Sequence, residues 1–165
     1  MIGELDVEWL NDRSEFQQNF VHGLRNQYGL QLQFEVDGDR IVTTWTAEDR
    51  HVGFPGFVHG GLVASVLDDT MGRWAALHRR FVVTAKLEVR YRDGAPLHVP
   101  LRAEGWALRM ARRALLAEGR MVLPDGRVVA EAKGTYMPLS PALEERMLDA
   151  WPGFREYLEQ QATAG

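Results

Sequence analysis

The spacing of hydrophobic and polar positions changes period several times along this chain, and each change marks a predicted element. Apolar residues lie near helical spacing over residues 8–27, and Gly29 ends this predicted N-terminal helix. Residues 30–36 alternate strictly between apolar and polar side chains, which predicts a half-buried strand. The turn Asp37-Gly38-Asp39 then leads into a returning strand over residues 40–46, so the two strands are expected to form a hairpin.

A loop rich in glycine and proline over residues 47–58 precedes the longest helical pattern, which spans residues 60–78. A period of two then returns in four further predicted strands, at residues 81–91, 99–109, 112–123 and 128–137. Two short helices are expected at the C-terminus, at residues 141–149 and 153–161. This order predicts an α+β fold, in which an antiparallel sheet with hairpin links covers one long central helix.

The central helix has two different faces. Rotation by about 100° per residue places a large apolar stripe on one side, made of Val63, Val66, Leu67, Met71, Trp74 and Leu77. The opposite face is small, with Ala64, Ser65, Asp68, Gly72, Ala75 and Ala76. A small face permits close approach of another backbone or of a substrate. Asp68 on this face is either a general base or nucleophile in a water-poor pocket, or a solvated surface carboxylate.

A neighbouring carboxylate suggests a different role. Asp69 precedes Arg73 by four residues on the same helix. This spacing brings an acidic and a basic side chain together on the surface of a helix. The sequence therefore predicts a surface ion pair between these two residues.

Composition narrows the class of protein. With 165 residues, 45% of them hydrophobic, the chain suits one domain with a substantial core. The formal net charge of −4 argues against nucleic acid as a partner. The absence of cysteine excludes disulfides, thiolate catalysis and cysteine-bound metal. No apolar run approaches the roughly 20 residues that span a bilayer, and no signal peptide is visible, so we expect a cytoplasmic protein without membrane contact.

Two glycines open the central helix directly after a histidine. The first N–H groups of a helix have no partner within the helix, so Gly60 and Gly61 offer an oxyanion site to a carbonyl group. The alternative is that these glycines only permit a tight turn. His59 is expected to stabilise this turn by hydrogen bonding. The histidine spacing fits no metal site, and no G-x-S-x-G, G-x-G-x-x-G or Walker motif occurs.

The segment from Val58 to Gly72 resembles the signature of the hotdog-fold thioesterases, in particular the PaaI-like branch of the phenylacetate pathway. In that family His-Gly-Gly opens the long helix and an acidic residue follows the histidine by nine positions, as Asp68 follows His59 here. Residues 83–91 resemble the family's T-x-x-L-x-V-x-Y strand, and the Asp125-Gly126 turn resembles its last hairpin. The resemblance covers residues 29–137 and thus divides the chain into an N-terminal helical extension (1–28), a hotdog domain (29–137) and a C-terminal helical extension (138–165).

The resemblance implies hydrolysis of acyl-CoA thioesters without metal or cofactor, with coenzyme A entering only as part of the substrate. The backbone N–H of Gly61, with that of Gly60, would polarise the thioester carbonyl. Asp68 from the neighbouring subunit would activate water or attack directly, and Thr84 would help to position the water. The implied catalytic residues are His59, Gly60, Gly61, Asp68 and Thr84. The implied substrate-binding residues are His51, Phe57 and Val58.

The resemblance also implies a homodimer or a tetramer built from two dimers, with active sites shared between subunits. Two sets of arginines are candidates for the phosphates of coenzyme A: Arg79 and Arg80 after the helix, and Arg109, Arg112 and Arg113 around a hairpin. The first set alternatively complements the helix C-terminus.

Two other functions are compatible with the sequence. The first is a non-catalytic acyl-CoA-binding protein that keeps the fold. The second is an acyl thioester dehydratase or hydratase, because residues 51–56 resemble the H-F-P-G loop of those enzymes.

Overall fold

A computed structural model of the protein describes residues 18–78, 80–150 and 153. Six strands form one sheet: β1 (Glu35–Asp37), β2 (Arg40–Thr46), β3 (Val82–Tyr91), β4 (Pro100–Ala111), β5 (Ala114–Val122) and β6 (Val128–Pro138). Two α-helices accompany them, α1 (Gly60–Leu77) and α2 (Pro141–Ala150), and a short 3₁₀ helix covers Asp49–His51. The predicted central helix and the four strands that follow it are confirmed, each within three residues of its expected bounds.

All neighbouring strands in the sheet run antiparallel, in the order β1-β2-β4-β5-β6-β3. Hairpins join β4 to β5 and β5 to β6, whereas β3 precedes them in sequence and lies beyond β6. Among the described residues β3 is therefore an edge strand, and all ten of its residues are half-buried or exposed. No further strand of the described residues pairs with its outer edge, which offers backbone groups to a further strand.

The central helix packs against one face of the sheet through the predicted apolar stripe. All six residues of that stripe are buried, and Trp74 Nε1 donates a hydrogen bond of 3.0 Å to the carbonyl oxygen of Gly105 on β4. Gly105 lets the helix approach closely, because a Cβ there would lie 3.0 Å from Met71 Cα. The predicted α+β architecture, an antiparallel sheet around one long helix, is confirmed.

The N-terminal part differs from the sequence-based expectation. Residues 18–27 form turns rather than a helix, and residues 8–17 of that predicted helix lie outside the described residues. Of the strand expected over 30–36, only the end is a strand, in β1. Leu30 and Leu32 donate backbone hydrogen bonds to Phe20 and Val21, at 2.9 and 3.0 Å, so this segment pairs with the preceding turns instead of with the sheet.

The C-terminal part agrees as far as it is described. α2 confirms the helix expected over 141–149, and the Ser140 hydroxyl accepts a hydrogen bond of 3.2 Å from the Leu143 N–H at its start. The helix expected over 153–161 lies outside the described residues except for Gly153. The division into two extensions and a central domain stays a prediction. None of the described helices is both long enough and apolar enough to cross a lipid bilayer.

Candidate active site

Asp68 and Thr84 are neighbours in the fold. Asp68 lies in the middle of α1, and its Oδ1 and Oδ2 lie 3.1 and 3.0 Å from Thr84 Oγ1 on β3. A β-bulge between Thr84 and Lys86 shifts the pairing of β3 with β6 by one residue. Because a bulge reverses the alternation of side chains, Thr84 faces the helix together with Leu87, although their positions differ by three, an odd number.

A third residue completes this cluster, and the sequence analysis missed it. Tyr136 on β6 is only 2% exposed, and its hydroxyl lies 3.0 Å from Asp68 Oδ1 and 2.9 Å from the Asp68 backbone oxygen. Two glycines leave room for its ring: a Cβ at Gly134 would collide with it, and one at Gly72 would lie 3.4 Å away. Gly72 on the small face of the helix and Gly134 on β6 were the sequence signals that a large ring lies there.

The environment sets the protonation of this cluster. Burial raises the pKa of Asp68 above its usual value, while hydrogen bonds from Tyr136 and Thr84 lower it and the charge of Asp69 raises it, with a net upward shift. Burial and the Asp68 carboxylate both raise the pKa of Tyr136. Tyr136 therefore stays a hydrogen-bond donor at any pH near neutrality. Asp68 is a half-buried carboxylate held by two hydroxyl groups, which is an arrangement suited to accept a proton from water.

The start of α1 forms the second part of the candidate site. His59 caps the helix, and its Nδ1 accepts a hydrogen bond of 3.0 Å from the Gly61 N–H. The Gly60 N–H has no hydrogen-bond partner among the described residues. The carbonyl oxygen of Gly60 accepts a hydrogen bond of 2.7 Å from the Tyr91 hydroxyl, which fixes the helix start to the end of β3. Gly60 is thus the donor open to a ligand in this conformation.

The three expected substrate-binding residues have different environments. His51 is 6% exposed, its Nδ1 accepts a hydrogen bond of 2.8 Å from the Glu48 N–H, and its Nε2 is buried without a partner in the described residues. Phe57 is 45% exposed and its ring covers Gly94. Val58 is buried in the hydrophobic core. Of the three, Phe57 alone presents a large surface to solvent.

The two parts of the candidate site do not meet within one chain. Asp68 follows Gly60 by eight positions on the same helix. At about 1.5 Å rise per residue, this is about 12 Å along the axis. One thioester carbonyl cannot contact both groups of the same chain.

Contrary to the sequence prediction, the ion pair of Asp69 does not lie on the surface. Its Oδ2 lies 3.2 Å from Arg73 Nη2 and 2.9 Å from His22 Nδ1, and the Arg73 side chain is 10% exposed. The ion pair exists, but the N-terminal turns cover it, so the prediction of a surface location is wrong. Burial alone raises the pKa of Asp69, yet the charge of Arg73 and the contact with His22 outweigh it and lower the pKa to about 2.

In the described part of the chain no three histidine, aspartate or glutamate side chains come together in a way that could hold a metal ion. The two carboxylates near the site have other partners. Asp68 contacts the hydroxyls of Thr84 and Tyr136, and Asp69 contacts Arg73 and His22.

Comparison with known proteins identifies the fold. The family model of the thioesterase superfamily matches residues 55–130. Acyl-coenzyme A thioesterase THEM4 of Rattus norvegicus is 31% identical over 90 residues, which cover 54% of this chain and 38% of that protein. The chain thus spans less than half the length of this curated relative. A solved thioesterase superfamily protein is 29% identical, with a TM-score of 0.67, over 72% of this chain and 62% of its own.

More distant solved structures share the fold. A hypothetical thioesterase protein of Streptococcus pneumoniae, solved with coenzyme A, is 20% identical with a TM-score of 0.62, over 66% of this chain and 86% of its own. The PaaI protein of E. coli, from its phenylacetic acid degradation operon, is 16% identical with a TM-score of 0.61, over 66% of this chain and 83% of its own. The likeness to PaaI agrees with the predicted branch at the level of the fold. The chain is similar to the thioesterase superfamily over residues 55–130, and it has the hotdog fold of the solved thioesterase superfamily protein.

Proposed function

We propose that this protein hydrolyses acyl-CoA thioesters, with Asp68 as the group that activates the nucleophile. The observation that carries this proposal is the Asp68 carboxylate, held by the hydroxyls of Thr84 and Tyr136. Two relatives support the substrate class: THEM4 is named an acyl-coenzyme A thioesterase, and the Streptococcus pneumoniae protein was solved with coenzyme A. The expectations that no cofactor is needed and that the protein is cytoplasmic stay predictions.

The proposed reaction proceeds by addition and elimination at the thioester carbonyl. Asp68 takes a proton from a water molecule while the water oxygen bonds to the carbonyl carbon. The oxygen that becomes negative is stabilised by the N–H of Gly60 at the positive end of the α1 dipole. The carbon–sulfur bond then breaks and coenzyme A leaves as thiol, with the proton returned by Asp68. Direct attack by Asp68 through an anhydride uses the same groups.

The Gly61 N–H enters this scheme only after a change in His59. In the structure this donor is bonded to His59 Nδ1. Rotation of the exposed His59 side chain would free it as a second donor. Gly60 is therefore the first donor that we assign to the proposed oxyanion site, and Gly61 is the second.

We further propose that the active site is shared between two copies of the chain, because its two parts lie about 12 Å apart along α1. The free edge of β3 accepts an antiparallel β3 from a second copy. If Leu87 lies on the two-fold axis, Lys86 pairs with Glu88 of the other copy and Thr84 lies opposite Arg90. Thr84 and Asp68 of one copy then face Tyr91 and Gly60 of the other. A tetramer built from two such dimers stays a prediction.

A hydrolysis screen tests the proposed function. The purified protein is offered short, medium and aromatic acyl-CoA substrates, and thiol release is measured. Asp68→Asn is expected to lower kcat by about 10²-fold or more. Asp39→Asn is the matched control, since the Asp39 side chain is 87% exposed and far along the sequence from the site. The control is expected to keep wild-type activity.

Two results of the screen would contradict the proposal. A wild-type protein that binds acyl-CoA by calorimetry but releases no thiol from any substrate is a binding protein. Full activity of Asp68→Asn would remove Asp68 from the mechanism. The dehydratase alternative gains no support, because the His51 side chain is buried and bonded to the Glu48 backbone.

A further inference from the structure

The Tyr91 side chain holds the first peptide unit of the central helix. Its hydroxyl donates a hydrogen bond of 2.7 Å to the carbonyl oxygen of Gly60, the first residue of α1. The ring lies against the same residue, since a Cβ at Gly60 would be 3.4 Å from Tyr91 Cζ. Tyr91 ends β3, and 31 positions separate it from Gly60 in the sequence. The last residue of the edge strand therefore contacts the first residue of the helix.

Formation of the helix does not require this hydrogen bond. In an α-helix each carbonyl oxygen accepts the N–H of the residue four positions later, so the Gly60 oxygen already has a donor within α1. The groups that lack partners at the start of a helix are N–H groups, not carbonyls. Tyr91 is 52% exposed, so water could solvate its hydroxyl instead. The hydroxyl is thus a second donor to an oxygen that the helix itself satisfies.

The consequence of this bond falls on the N–H of Gly61. The Gly60 carbonyl and the Gly61 N–H belong to one planar trans peptide unit and point in opposite directions. A donor that fixes the oxygen therefore fixes the direction of the N–H as well. It also polarises the unit, because linked hydrogen bonds strengthen one another. At the other end of the unit the Gly61 N–H is bonded to His59 Nδ1 at 3.0 Å.

The peptide unit needs such a support because both of its residues are glycines. Glycine restricts the backbone dihedrals least of all residues, so the unit between Gly60 and Gly61 is weakly restrained by its own side chains. When His59 rotates away, as the proposed mechanism requires, the N–H loses its present acceptor. The Tyr91 hydroxyl still holds the opposite end of the unit at that moment.

On the basis of the proposed function, we propose that Tyr91 is a positioning residue, whose hydroxyl holds the Gly60–Gly61 peptide so that the Gly61 N–H points at the thioester oxygen. Tyr91 does not contact the substrate in this role and acts through the peptide unit. Donors of an oxyanion site are effective when they are aligned before charge develops on the oxygen. Partial burial raises the pKa of Tyr91, so its hydroxyl keeps the proton that it donates at neutral pH.

Strand β3 carries the supports of both parts of the candidate site. The Thr84 hydroxyl lies 3.0 Å from Asp68 Oδ2 near one end of the strand, and the Tyr91 hydroxyl holds Gly60 at the other end. In the dimer proposed above, Tyr91 of one copy faces Thr84 and Asp68 of the other. The register of the two β3 strands then sets the distance between the oxyanion donors and the carboxylate.

The first test removes the hydroxyl and keeps the ring. In Tyr91→Phe we expect kcat for acyl-CoA to fall about tenfold, less than the 10² to 10³ typical of losing an oxyanion donor outright. KM is expected to stay within about twofold of the wild type, because the interaction acts on the transition state. Tyr28→Phe is the matched control, since it alters a tyrosine that is 76% exposed, and it is expected to keep wild-type kcat.

A pair of unreactive substrate analogues separates positioning from a general loss of structure. In the ketone analogue of acyl-CoA a methylene group replaces the sulfur, so the carbonyl remains but is not hydrolysed. The thioether analogue keeps the sulfur and lacks the carbonyl. By calorimetry the wild type should bind the ketone more tightly than the thioether. We expect Tyr91→Phe to lower this preference about threefold or more, the range of one hydrogen bond, without changing the affinity for the thioether.

The outcomes distinguish this proposal from the proposed function. An unchanged kcat in Tyr91→Phe would overturn the positioning role, and so would an equal loss of affinity for both analogues, which indicates a structural role only. If the wild type hydrolyses no thioester, the proposed function fails and the analogues alone decide. A preference for the ketone that Tyr91→Phe lowers then supports the positioning of the donor. A wild type without that preference overturns it.

Discussion

The Tyr136 hydroxyl lies 3.0 Å from Asp68 Oδ1 and 2.9 Å from the backbone oxygen of the same residue. This contact joins the middle of the central helix to the sheet through a side chain that is 2% exposed. It places a hydrogen-bond donor on a carboxylate whose pKa is raised by burial. Because the ring fills space left by Gly134, the donor cannot move away easily.

We expect Tyr136→Phe to move the pH dependence of hydrolysis. The hydroxyl stabilises the ionised form of Asp68, so its removal raises the pKa of Asp68 further. If Asp68 works as a carboxylate, the acid limb of the kcat–pH profile shifts to higher pH. At pH values below that limb, kcat is lower in the variant than in the wild type, because more of Asp68 is protonated. The profile of Tyr28→Phe, which alters a tyrosine that is 76% exposed, is the control. If the acid limb does not shift in Tyr136→Phe, the Tyr136 hydroxyl does not influence the protonation of Asp68 during catalysis.

The half-buried ion pair of Asp69 with Arg73 predicts a loss of stability in acid. Its pKa is lowered from 3.8 to about 2, so the folded state gains stability above pH 3.8 and loses it as the pH falls towards 2. The shift corresponds to about 2 kcal/mol of unfolding free energy. Denaturant unfolding of the wild type at pH 6 and at pH 2 measures it. Asp69→Asn is expected to be less stable at pH 6 and to lose about 2 kcal/mol less between these pH values.

The strong periodic segments could be predicted from the sequence, and so could the residues of the family motif. The central helix and strands β3 to β6 have long, regular patterns that only one kind of element satisfies. The N-terminal alternation of Leu30, Leu32 and Phe34 was misleading, because it reflects burial without pairing in the sheet. All three residues are buried, but Gln31 between them has a φ of 53°, which no strand adopts.

In the candidate site, too, the residues of a local sequence motif could be predicted, whereas features that depend on tertiary contacts could not. Asp68 and Thr84 were predicted from the motif, yet strict alternation from Leu87 would place Thr84 on the other face of β3. The bulge after Thr84 corrects this, and its position depends on the pairing with β6 rather than on any residue type. Tyr136 looks like an ordinary strand residue, since its role exists only once β6 lies beneath α1.

Gly60→Pro tests the donor at the helix start at low structural cost. Gly60 is the first residue of α1, a position that proline favours, and the preceding His59 has a ψ of 128°, which suits a residue before proline. The substitution removes one N–H and leaves the Gly61 N–H in place. We expect kcat to fall by about 10² to 10³, with circular dichroism and melting temperature close to the wild type. Activity near the wild-type level would transfer the oxyanion role to Gly61 after rotation of His59.

Mixing two inactive variants tests whether the active site is shared. We propose that each site takes Asp68 from one copy and Gly60 from the other. In a mixed dimer of Asp68→Asn with Gly60→Pro, one site then contains the native Asp68 and the native Gly60, and the other site contains both substitutions. Unfolding and refolding the two variants together should therefore restore activity. With equal amounts of both, about one quarter of the wild-type activity is expected, because half of the dimers are mixed and each mixed dimer has one working site out of two. Each variant refolded alone is the control and stays inactive. If the mixture is no more active than its components, both groups act within one chain or neither does, and the shared site is wrong. The direction of this result does not depend on which acyl group is used, since it follows from the separation of Gly60 and Asp68 along one helix.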